Sequence, residues 1–369
     1  SSLDATAIAG LTETQVKGLT AGQIAALTTT DVAEFADTQI GALTATQLKS
    51  LSETNVSALD ATQVAALTDT QIAGLTATQL AGLSTTDIGE FTDTQVAALT
   101  STQFKSLSET NFSALTTTQI AALTATQLKG VTTTQVAGLT TTALGALTET
   151  QIGGLATSQL AGLTTTSIGA LTTTQISGLA STQIGGLSTT NFSAFDATQV
   201  GSLNDTQISG LSTAQLNALT TTDFGELSTT QIDVFSATQL GALSSTNFAS
   251  LDATAVATLT TTQLAGLNST QLGALSTTDF GEFVDTQIAA LTASQVAALS
   301  TTVVGDLTTT QIDSLTSTQL SGLTVSQIDY LTETQILSMT STQVAGFSQA
   351  QVQSMTNEQA AAYVVASTS

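Results

Sequence analysis

Large apolar residues recur along the chain with a period of eight. From Leu3 to Ala362 the sequence divides into 45 octamers without insertion or deletion, with the consensus L-T-x-T-Q-I followed by two small residues. The first position is Leu in 36 octamers, and the sixth is Ile, Val, Leu or Phe in 44. This recurrence of large apolar residues argues against disorder. A gapless repeat predicts one small structural unit stacked many times rather than a globular domain.

The polar positions between them are typical of the first turn of a helix. The second position is Ser, Thr, Asp or Asn in 41 octamers, and these residues are preferred at a helix N-cap. Gln stands three residues later in 32 octamers and completes a capping box. In the octamer Leu11–Gly18, Thr12 and Gln15 form the box, while Leu11 and Val16 have the spacing of a hydrophobic staple. Each octamer is therefore predicted to form one short helix.

The period itself excludes one long helix, because the apolar stripe would advance by about 80° per octamer and wind around the surface. We expect helices of about six residues that end at positions seven and eight, where small residues let neighbouring helices approach and Gly can adopt turn conformations. The predicted fold class is an all-α solenoid. The alternative is a β-solenoid, because Thr-x-Thr followed by an aliphatic residue has strand character. Against it, the two apolar positions are five residues apart and would face opposite sides of a strand.

A second period lies inside the first. In eleven octamers, which we term marker octamers, the fifth-position Gln is replaced at intervals of three or four octamers. The replacing residues are Asp31, Asn55, Asp87, Asn111, Ala143, Ser167, Asn191, Asp223, Asn247, Asp279 and Val303. The ten intervals from 31 to 303 span 272 residues, or 3.4 octamers each, which predicts a superhelical turn of about 27 to 28 residues. The marker octamers would then lie along one side of the solenoid.

Aromatic and acidic residues follow the same rhythm. Nine of the 12 Phe residues lie beside marker positions: Phe35, Phe91, Phe112, Phe192, Phe195, Phe224, Phe248, Phe280 and Phe283. Acidic residues form four groups there: Asp31, Glu34 and Asp37; Asp87, Glu90 and Asp93; Asp223 and Glu226; Asp279, Glu282 and Asp285. Three interpretations stay open. They are calcium sites built from carboxylate oxygens, a lateral contact face in which Phe fills a groove of a neighbour, and a solvated surface in which Asp favours helix N-termini.

Composition limits the chemistry. The chain has no His, Cys, Trp, Pro or Arg, and its formal charge is -23 with four Lys as the only cations. Without His or Cys there is no zinc site and no Ser-His-Asp or Cys-His nucleophile, so we predict that the protein is not an enzyme. Apart from the calcium considered above, no cofactor is expected. The negative charge repels nucleic acid, and no apolar run approaches the length of a membrane span.

The two ends of the repeat predict self-association. We divide the chain into a continuous octapeptide solenoid, residues 3–362, and a C-terminal tail or docking segment, residues 363–369. The first octamer begins at Leu3 with no polar cap before it, and Tyr363, Val364 and Val365 break the pattern with apolar residues. These three residues either cap the last layer or dock on the start of another copy. The expected partner is therefore the protein itself, end to end and by lateral contacts.

An octapeptide repeat of acidic, cysteine-free and Thr-, Ser-, Ala- and Gly-rich composition resembles the large extracellular bacterial surface proteins of filament, sheath or adhesin type. The resemblance implies an extracellular or cell-surface location and a structural protein that assembles into a filament, sheath or layer. The alternative is an adhesin stalk or a repeat module that binds a ligand, calcium or ice. Thr-x-Thr ladders are similar to those of ice-binding β-helices. The period is also similar to that of ice-nucleation repeats, but their Gly-Tyr-Gly-Ser core is missing here.

Overall fold

The structure is a computed structural model that describes residues 5–368, so Leu3 lies outside the described residues. Within that range the chain forms 45 α-helices and no β-strand. The helices begin at residue 5 and at every eighth residue up to 357, so each octamer contributes one helix that starts at its third position. The prediction of an all-α solenoid is confirmed, and the β-solenoid alternative is wrong for the described residues.

Most helices are a little over one turn long. Five residues form α1 (Ala5–Ala9), α2 (Glu13–Lys17), α3 (Ala21–Ala25), α4 (Thr29–Ala33), α7 (Glu53–Ser57), α8 (Ala61–Ala65), α9 (Asp69–Ala73), α10 (Ala77–Ala81), α11 (Thr85–Gly89), α14 (Glu109–Ser113), α17 (Thr133–Ala137), α18 (Thr141–Gly145), α19 (Glu149–Gly153), α20 (Thr157–Ala161), α21 (Thr165–Gly169), α22 (Thr173–Ser177), α23 (Ser181–Gly185), α25 (Ala197–Gly201), α26 (Asp205–Ser209), α28 (Thr221–Gly225), α29 (Thr229–Asp233), α31 (Ser245–Ala249), α34 (Ser269–Gly273), α35 (Thr277–Gly281) and α37 (Ala293–Ala297). Six residues form α5 (Asp37–Ala42), α6 (Ala45–Ser50), α12 (Asp93–Ala98), α13 (Ser101–Ser106), α15 (Thr117–Ala122), α16 (Ala125–Gly130), α27 (Thr213–Ala218), α30 (Ala237–Ala242), α32 (Ala253–Thr258), α36 (Asp285–Ala290), α38 (Thr301–Asp306), α39 (Thr309–Ser314), α40 (Ser317–Gly322), α42 (Glu333–Ser338) and α44 (Gln349–Ser354). Four residues form α24 (Thr189–Phe192), α33 (Thr261–Leu264), α41 (Val325–Ile328) and α43 (Ser341–Val344), whereas α45 (Asn357–Thr368) has 12.

Two compact units divide the chain, Ser1–Leu187 and Ser188–Ser369. Each unit repeats the same octamer geometry. The continuity of residues 3–362 as one domain stays a prediction.

Most helices begin at the predicted cap, whereas Ala36, Ala156, Ala180 and Val284 hold the cap position without a side-chain hydrogen bond. At the start of α6 the Gln47 backbone N–H donates to Thr44 Oγ1 at 3.2 Å, and the Thr44 backbone N–H donates to Gln47 Oε1 at 2.8 Å. Thr44 is extended (φ -72°, ψ 156°), and so is Leu51, which ends the helix (φ -63°, ψ 144°). Two extended residues, at positions one and two, therefore separate successive helices. No described residue has a positive φ, so the expectation that Gly ends helices through special turn conformations is wrong.

Positions one and six form the core of each unit. First-position side chains are buried from Phe35 to Phe347, and sixth-position side chains are buried from Ile8 to Val344. Because each helix is too short to be stable alone, this burial is what holds it in place, at about 25 cal/mol per Å² of apolar surface. The staple residues predicted from the sequence are thus the core residues of the solenoid.

Within each unit most helices pack against the third helix further along the chain, as α3 does on α6, α13 on α16 and α37 on α40. Small residues at positions seven and eight make this approach sterically feasible. A Cβ added to Gly41 would lie 2.9 Å from the Ala66 carbonyl oxygen, and one added to Gly162 would overlap the methyl of Thr133. The predicted role of these small residues in close helix approach is confirmed.

The fifth-position Gln joins successive turns. Gln47 Nε2 donates to the carbonyl oxygen of Leu19, 28 residues earlier, at 2.8 Å, and to that of Val16 at 2.8 Å. In the second unit Gln335 Nε2 donates in the same way to Leu307 at 2.8 Å and Val304 at 3.1 Å. We call the buried fifth-position glutamines that make such bonds the glutamine ladder. Its spacing corresponds to three and a half octamers, which confirms the predicted turn within each unit.

Candidate functional site

The marker octamers contact one another in succession along one side of the first unit. Asn55 Nδ2 donates to the carbonyl oxygen of Leu27, in the octamer of Asp31, at 2.7 Å. Ser57, in the octamer of Asn55, donates from its hydroxyl to Asp87 Oδ2 at 2.6 Å. Asn111 Nδ2 then donates to the carbonyl oxygen of Leu83, in the octamer of Asp87, at 2.7 Å. The four markers therefore lie on one side, as the alternation of three and four octamers predicted.

The second unit has a matching contact. Asn247 Nδ2 donates to the carbonyl oxygen of Leu219, in the octamer of Asp223, at 2.9 Å. Neighbouring marker octamers thus meet across a turn in this unit as well.

The marker side chains point between the turns, where the glutamine ladder runs elsewhere. Asn55, Asn111 and Asn247 are buried. Aspartate has no amide hydrogen to donate, and Asp31 and Asp87 are only partly buried. Asp31 still caps its own helix, because the Thr28 backbone N–H donates to its Oδ2 at 2.8 Å. Replacement of Gln by Asp thus keeps the helix cap and removes the donor that would join this turn to the previous one.

Phenylalanine fills the core beside these shorter side chains. All nine Phe residues that follow the marker rhythm are buried. Phe192 and Phe195 meet edge to face with ring centroids 5.7 Å apart, and Phe280 and Phe283 stack at 5.2 Å. The hypothesis that Phe fills a groove of a neighbouring molecule is therefore wrong, because these rings lie inside their own unit. A shorter residue at position five leaves volume that a large ring at positions one or six occupies.

Four glycines at position seven of marker octamers face open space. A Cβ added to Gly89, Gly145, Gly225 or Gly281, each at position seven of a marker octamer, would meet nothing within 4 Å. At the same position outside this set, a Cβ on Gly153 would overlap the Gly178 carbonyl oxygen. Gly201, outside the marker octamers, is equally open, whereas a Cβ on Gly305, in the marker octamer of Val303, would lie 3.1 Å from the Tyr330 carbonyl oxygen. Open space at position seven is therefore a property of these four marker octamers and not of every one.

The acidic residues on this side form clusters that extend across two turns. Burial raises the pKa of Glu90, and the carboxylates of Asp87 and Asp60 raise it further. The Glu90 Oε2 atom is buried without a hydrogen-bond partner. The pKa values of Glu226 and Glu282 are raised in the same way, first by burial and then by an Asp of the same octamer and an Asp of the previous turn: Asp223 and Asp196, and Asp279 and Asp252.

The second-position aspartates of these clusters were not identified from the sequence, although a signal was present. Asp occupies position two only at Asp4, Asp60, Asp196 and Asp252. Each of these aspartates stands three octamers, or 24 residues, before the second position of an octamer that has Asp at position five and Glu at position eight. No other octamer has that combination of Asp and Glu. Three octamers are close to one turn, so the co-occurrence indicates carboxylates that face each other across neighbouring turns.

The structure does not gather the residues predicted to bind calcium into a metal site. Among residues 5–368 no group of three or more His, Cys, Asp or Glu side chains is placed to hold a metal ion. Asp37, Asp93 and Asp285 are exposed, and Asp37 accepts a hydrogen bond from the Thr62 hydroxyl at 3.2 Å. Glu34 is partly buried, and Glu282 Oε2 is buried without a hydrogen-bond partner. The carboxyl groups predicted to bind calcium therefore do not form a ligand cage within residues 5–368.

The residues predicted for self-association divide between the two ends, and Leu3 lies outside the described range. At the C-terminal end, α45 packs against α42 and α43. The Tyr363 ring lies 6.3 Å from that of Phe347, whereas Val364 and Val365 are 59% and 54% exposed. Helix α45 thus covers part of the last turn and presents two valines to solvent.

The geometry defines the class of protein: an all-α solenoid of capped octapeptide helices. The ALTTAQ repeat family matches residues 152–189 and 217–253, and the chain is a repeat protein that is similar to this family in those two segments. No curated protein matches the chain significantly. Within residues 5–368, no helix combines the length and the apolar character needed to cross a membrane.

Proposed function

We propose that the protein is a non-catalytic structural protein of the cell surface that associates end to end into an extracellular filament, sheath or layer. The observation that carries this proposal is the glutamine ladder, because within each unit the same two hydrogen bonds join one turn to the turn before it. The same hydrogen bonds can in principle add any number of further turns. A second copy can supply the next turn with the same chemistry, and a heterologous contact that does not close grows into a fibre.

The turn at the N-terminal end presents one half of such a contact. Gln15 and Gln23 are exposed, and their Nε2 atoms bond no carbonyl group among the described residues. The first-position residues Leu11, Leu19 and Leu27 are partly exposed there, although this position is buried from Phe35 onward. Burial of this layer under another turn would satisfy the amide donors and remove apolar surface from water.

The last turn offers the complementary half. The acceptor in the ladder is the first-position carbonyl 28 residues before each Gln. The last such acceptor is Leu331, which accepts from Gln359. Three further first-position residues follow it: Met339, Phe347 and Met355. The carbonyl groups of these three residues would accept the amide groups of another copy, and its apolar side chains would pack on the exposed Val364 and Val365.

Composition supports a location outside the cell. The chain is acidic, free of cysteine and rich in small hydroxyl residues, as large bacterial surface repeat proteins are. Its sequence also contains no His, Cys or Arg from which a common catalytic centre is built. A structural role at the surface fits these properties better than catalysis does.

Replacement of Gln15 and Gln23 by Glu tests the end-to-end contact. Glu keeps the side-chain acceptor of the capping box but cannot donate to a carbonyl oxygen. The Gln15→Glu/Gln23→Glu variant should therefore keep its far-ultraviolet circular dichroism spectrum while filaments in electron micrographs become much shorter. Deletion of residues 363–369 should shorten them as well. The matched control is Glu149→Gln, which changes one exposed carboxylate within a unit and should leave filament length unchanged.

A wild-type chain that stays monomeric in sedimentation at high concentration, with and without Ca²⁺, would contradict the filament proposal. In that case the adhesin stalk or ligand-binding module becomes the favoured function. Filaments of wild-type length from Gln15→Glu/Gln23→Glu would show that the ladder does not join copies.

A further inference from the structure

We propose that the four lysines of the first unit form a docking surface for the acidic marker octamers of a second copy of the chain. We call this surface the lysine face; it consists of Lys17, Lys49, Lys105 and Lys129. The inference rests on the self-association proposed above and adds the lateral surface through which assembled copies would pair.

The four lysines are the only cations in a chain of formal charge -23, and all of them occupy position seven of their octamers. All four side chains are exposed. None of the ammonium groups takes part in a hydrogen bond or ion pair with another described residue. The four ammonium groups, in a chain with 27 acidic side chains, thus have no ion-pair partner among residues 5–368 and are accessible to an external anion.

The lysines lie on one side of the first unit. Gln47, on the helix of Lys49, donates to the backbone carbonyl oxygen of Lys17 at 3.3 Å. Lys105 and Lys129 line one shallow groove between α13 and α16. Thr102, on the helix of Lys105, lines the neighbouring groove, which also contains Lys49. Contacting helices and shared grooves thus connect all four residues.

The acidic side of the same unit lies more than half a turn away. Lys49 is two octamers after the marker octamer of Asp31, and Lys105 is two octamers after that of Asp87, in a superhelix with three and a half octamers per turn. The acid face consists of the carboxylates in the first four marker octamers: Asp31, Glu34, Glu53, Asp87, Glu90 and Glu109. Glu53 and Glu109 are exposed. The four lysines and the acid face therefore lie on opposite sides of one copy, although Glu13 shares α2 with Lys17 and Asp69 lies two turns further along the same side.

The two faces repeat with the same spacing, which is the reason to choose a second copy as the partner. Lys49 and Lys105 are seven octamers apart, as are Glu53 and Glu109, and Glu34 and Glu90. Since one turn takes three and a half octamers, seven octamers are two complete turns. Equal numbers of turns give equal distances along the solenoid axis. Two copies side by side can thus align both lysines with both sets of carboxylates, and complementary charge patterns of this kind set register and speed association.

A charge exchange between the faces tests the proposal. Lys49→Glu/Lys105→Glu should weaken lateral association of the full chain in sedimentation velocity at low ionic strength, with a Kd at least about tenfold higher. Glu53→Lys/Glu109→Lys should weaken it too, because its two faces then both carry lysine. An equimolar mixture of the two variants should associate again, since the reversed lysine face meets the reversed acid face. The restored association also shows that both variants fold.

A second pair of variants separates the face from net charge. Lys49→Gln/Lys105→Gln and Thr85→Glu/Thr141→Glu make the chain more negative by the same amount, but Thr85 and Thr141 are exposed residues of marker octamers. Only the lysine variant should weaken association. Equal weakening by both variants, or no recovery in the mixture of exchanged variants, would overturn the proposal.

Electron micrographs distinguish this inference from the end-to-end assembly on which it rests. Narrower filaments of unchanged length from Lys49→Glu/Lys105→Glu support the lysine face. Filaments as wide as those of the wild type contradict the lysine face and leave the end-to-end contact intact. Wild-type chains that pair side by side in a salt-sensitive way but never lengthen support the lysine face and contradict the end-to-end assembly.

Discussion

A single glutamine side chain carries two structural tasks in each octamer. Its Oε1 closes the cap of its own helix, as in Gln47 with Thr44, while its Nε2 bonds carbonyl groups of the previous turn. Glu would serve the first task equally well, yet no octamer has Glu at position five. A carboxylate held against two carbonyl oxygens would be repelled and would leave them without a donor. Asp occurs there only in marker octamers, as at Asp87, where the ladder is interrupted.

The carboxyl clusters make stability depend on pH. The pKa values of Glu90, Glu226 and Glu282 are raised by burial and by neighbouring aspartates, so the folded state binds these protons more tightly than the unfolded chain does. Their stabilisation is present below the ordinary glutamate pKa of about 4.3 and is lost as the pH rises through the raised values. Glu90→Gln/Glu226→Gln/Glu282→Gln should therefore lose less Tm than the wild type between pH of about 4 and 7 in thermal melts.

The aspartates that cap helices make stability depend on pH in the opposite direction, and they do so equally in the wild type and in the Glu90→Gln/Glu226→Gln/Glu282→Gln variant. Hydrogen bonds from the Thr28 backbone and hydroxyl lower the pKa of Asp31, so this carboxylate stabilises the folded state above its ordinary pKa and ceases to do so as the pH falls. Because the capping aspartates are present in both chains, their contribution cancels when the Tm of the triple glutamine variant is compared with that of the wild type. The exposed set Glu53→Gln/Glu109→Gln/Glu149→Gln is the control, and parallel Tm curves for wild type and cluster variant would contradict the expectation.

At the scale of the element, these helices are stable only in the stack. A five-residue helix has little intrinsic stability, because nucleation fixes several residues for one hydrogen bond. Caps such as Thr44 and Gln47 satisfy the first backbone N–H groups, and core residues such as Leu48 and Leu51 bury the apolar side. Small residues at positions seven and eight then set how closely the next turn approaches. Position seven is crowded at some octamers and open at others, as the glycines Gly153 and Gly145 show.

Two glycines in adjacent octamers allow a matched test of the difference between a crowded and an open position seven. Gly145 and Gly153 each end a five-residue helix, α18 and α19. An added methyl meets nothing within 4 Å at Gly145 but overlaps the Gly178 carbonyl oxygen at Gly153. Gly145→Ala should raise the free energy of unfolding in urea by about 0.5–1 kcal/mol, because Ala is the better helix former. Gly153→Ala should lower it by about 1–3 kcal/mol, as overpacking does. Similar effects at both sites would contradict the packing described for position seven.

At the scale of the whole molecule, the solenoid repeats itself most closely after two turns. The marker octamers Leu27–Glu34 and Leu83–Glu90 both contain Asp at position five and Glu at position eight, and they are seven octamers apart. Because each repeat contacts only its neighbours, stability is expected to be a sum of local terms rather than the property of one central core.

Deletion of residues 35–90 should therefore leave a folded chain. The deletion removes seven whole octamers and joins Glu34 to Phe91, which preserves both the octamer and the alternation of marker octamers. Mean residue ellipticity at 222 nm should stay within about 10% of the wild-type value, with cooperative unfolding retained. Deletion of residues 35–86 cuts an octamer in half and places core residues out of register, so it should lose helix locally. Equal spectra for the two deletions would show that the register does not matter.

The sequence by itself determined the helices, the core positions and the length of a turn. These follow from local chemistry: a cap such as Thr12 and its partner Gln15 are three residues apart, and Leu11 and Val16 bracket one turn of helix. The rhythm of the markers from Asp31 to Val303 predicted the turn because residues on one side of a superhelix recur with its period. The helix caps and core positions depend on residues within one octamer, and the length of a turn depends on how many octamers separate the markers.

Only the tertiary structure decided what faces what across the turns. The sequence could not assign the Nε2 of Gln47 to carbonyl groups of Leu19 and Val16, because any glutamine that caps a helix has a free amide. Nor could it place Phe112 inside the core rather than on a contact face, since volume left by a neighbouring side chain is a property of packing in three dimensions. The pairing of Glu90 with Asp60 likewise arises because the superhelix brings residues 30 positions apart into adjacent turns.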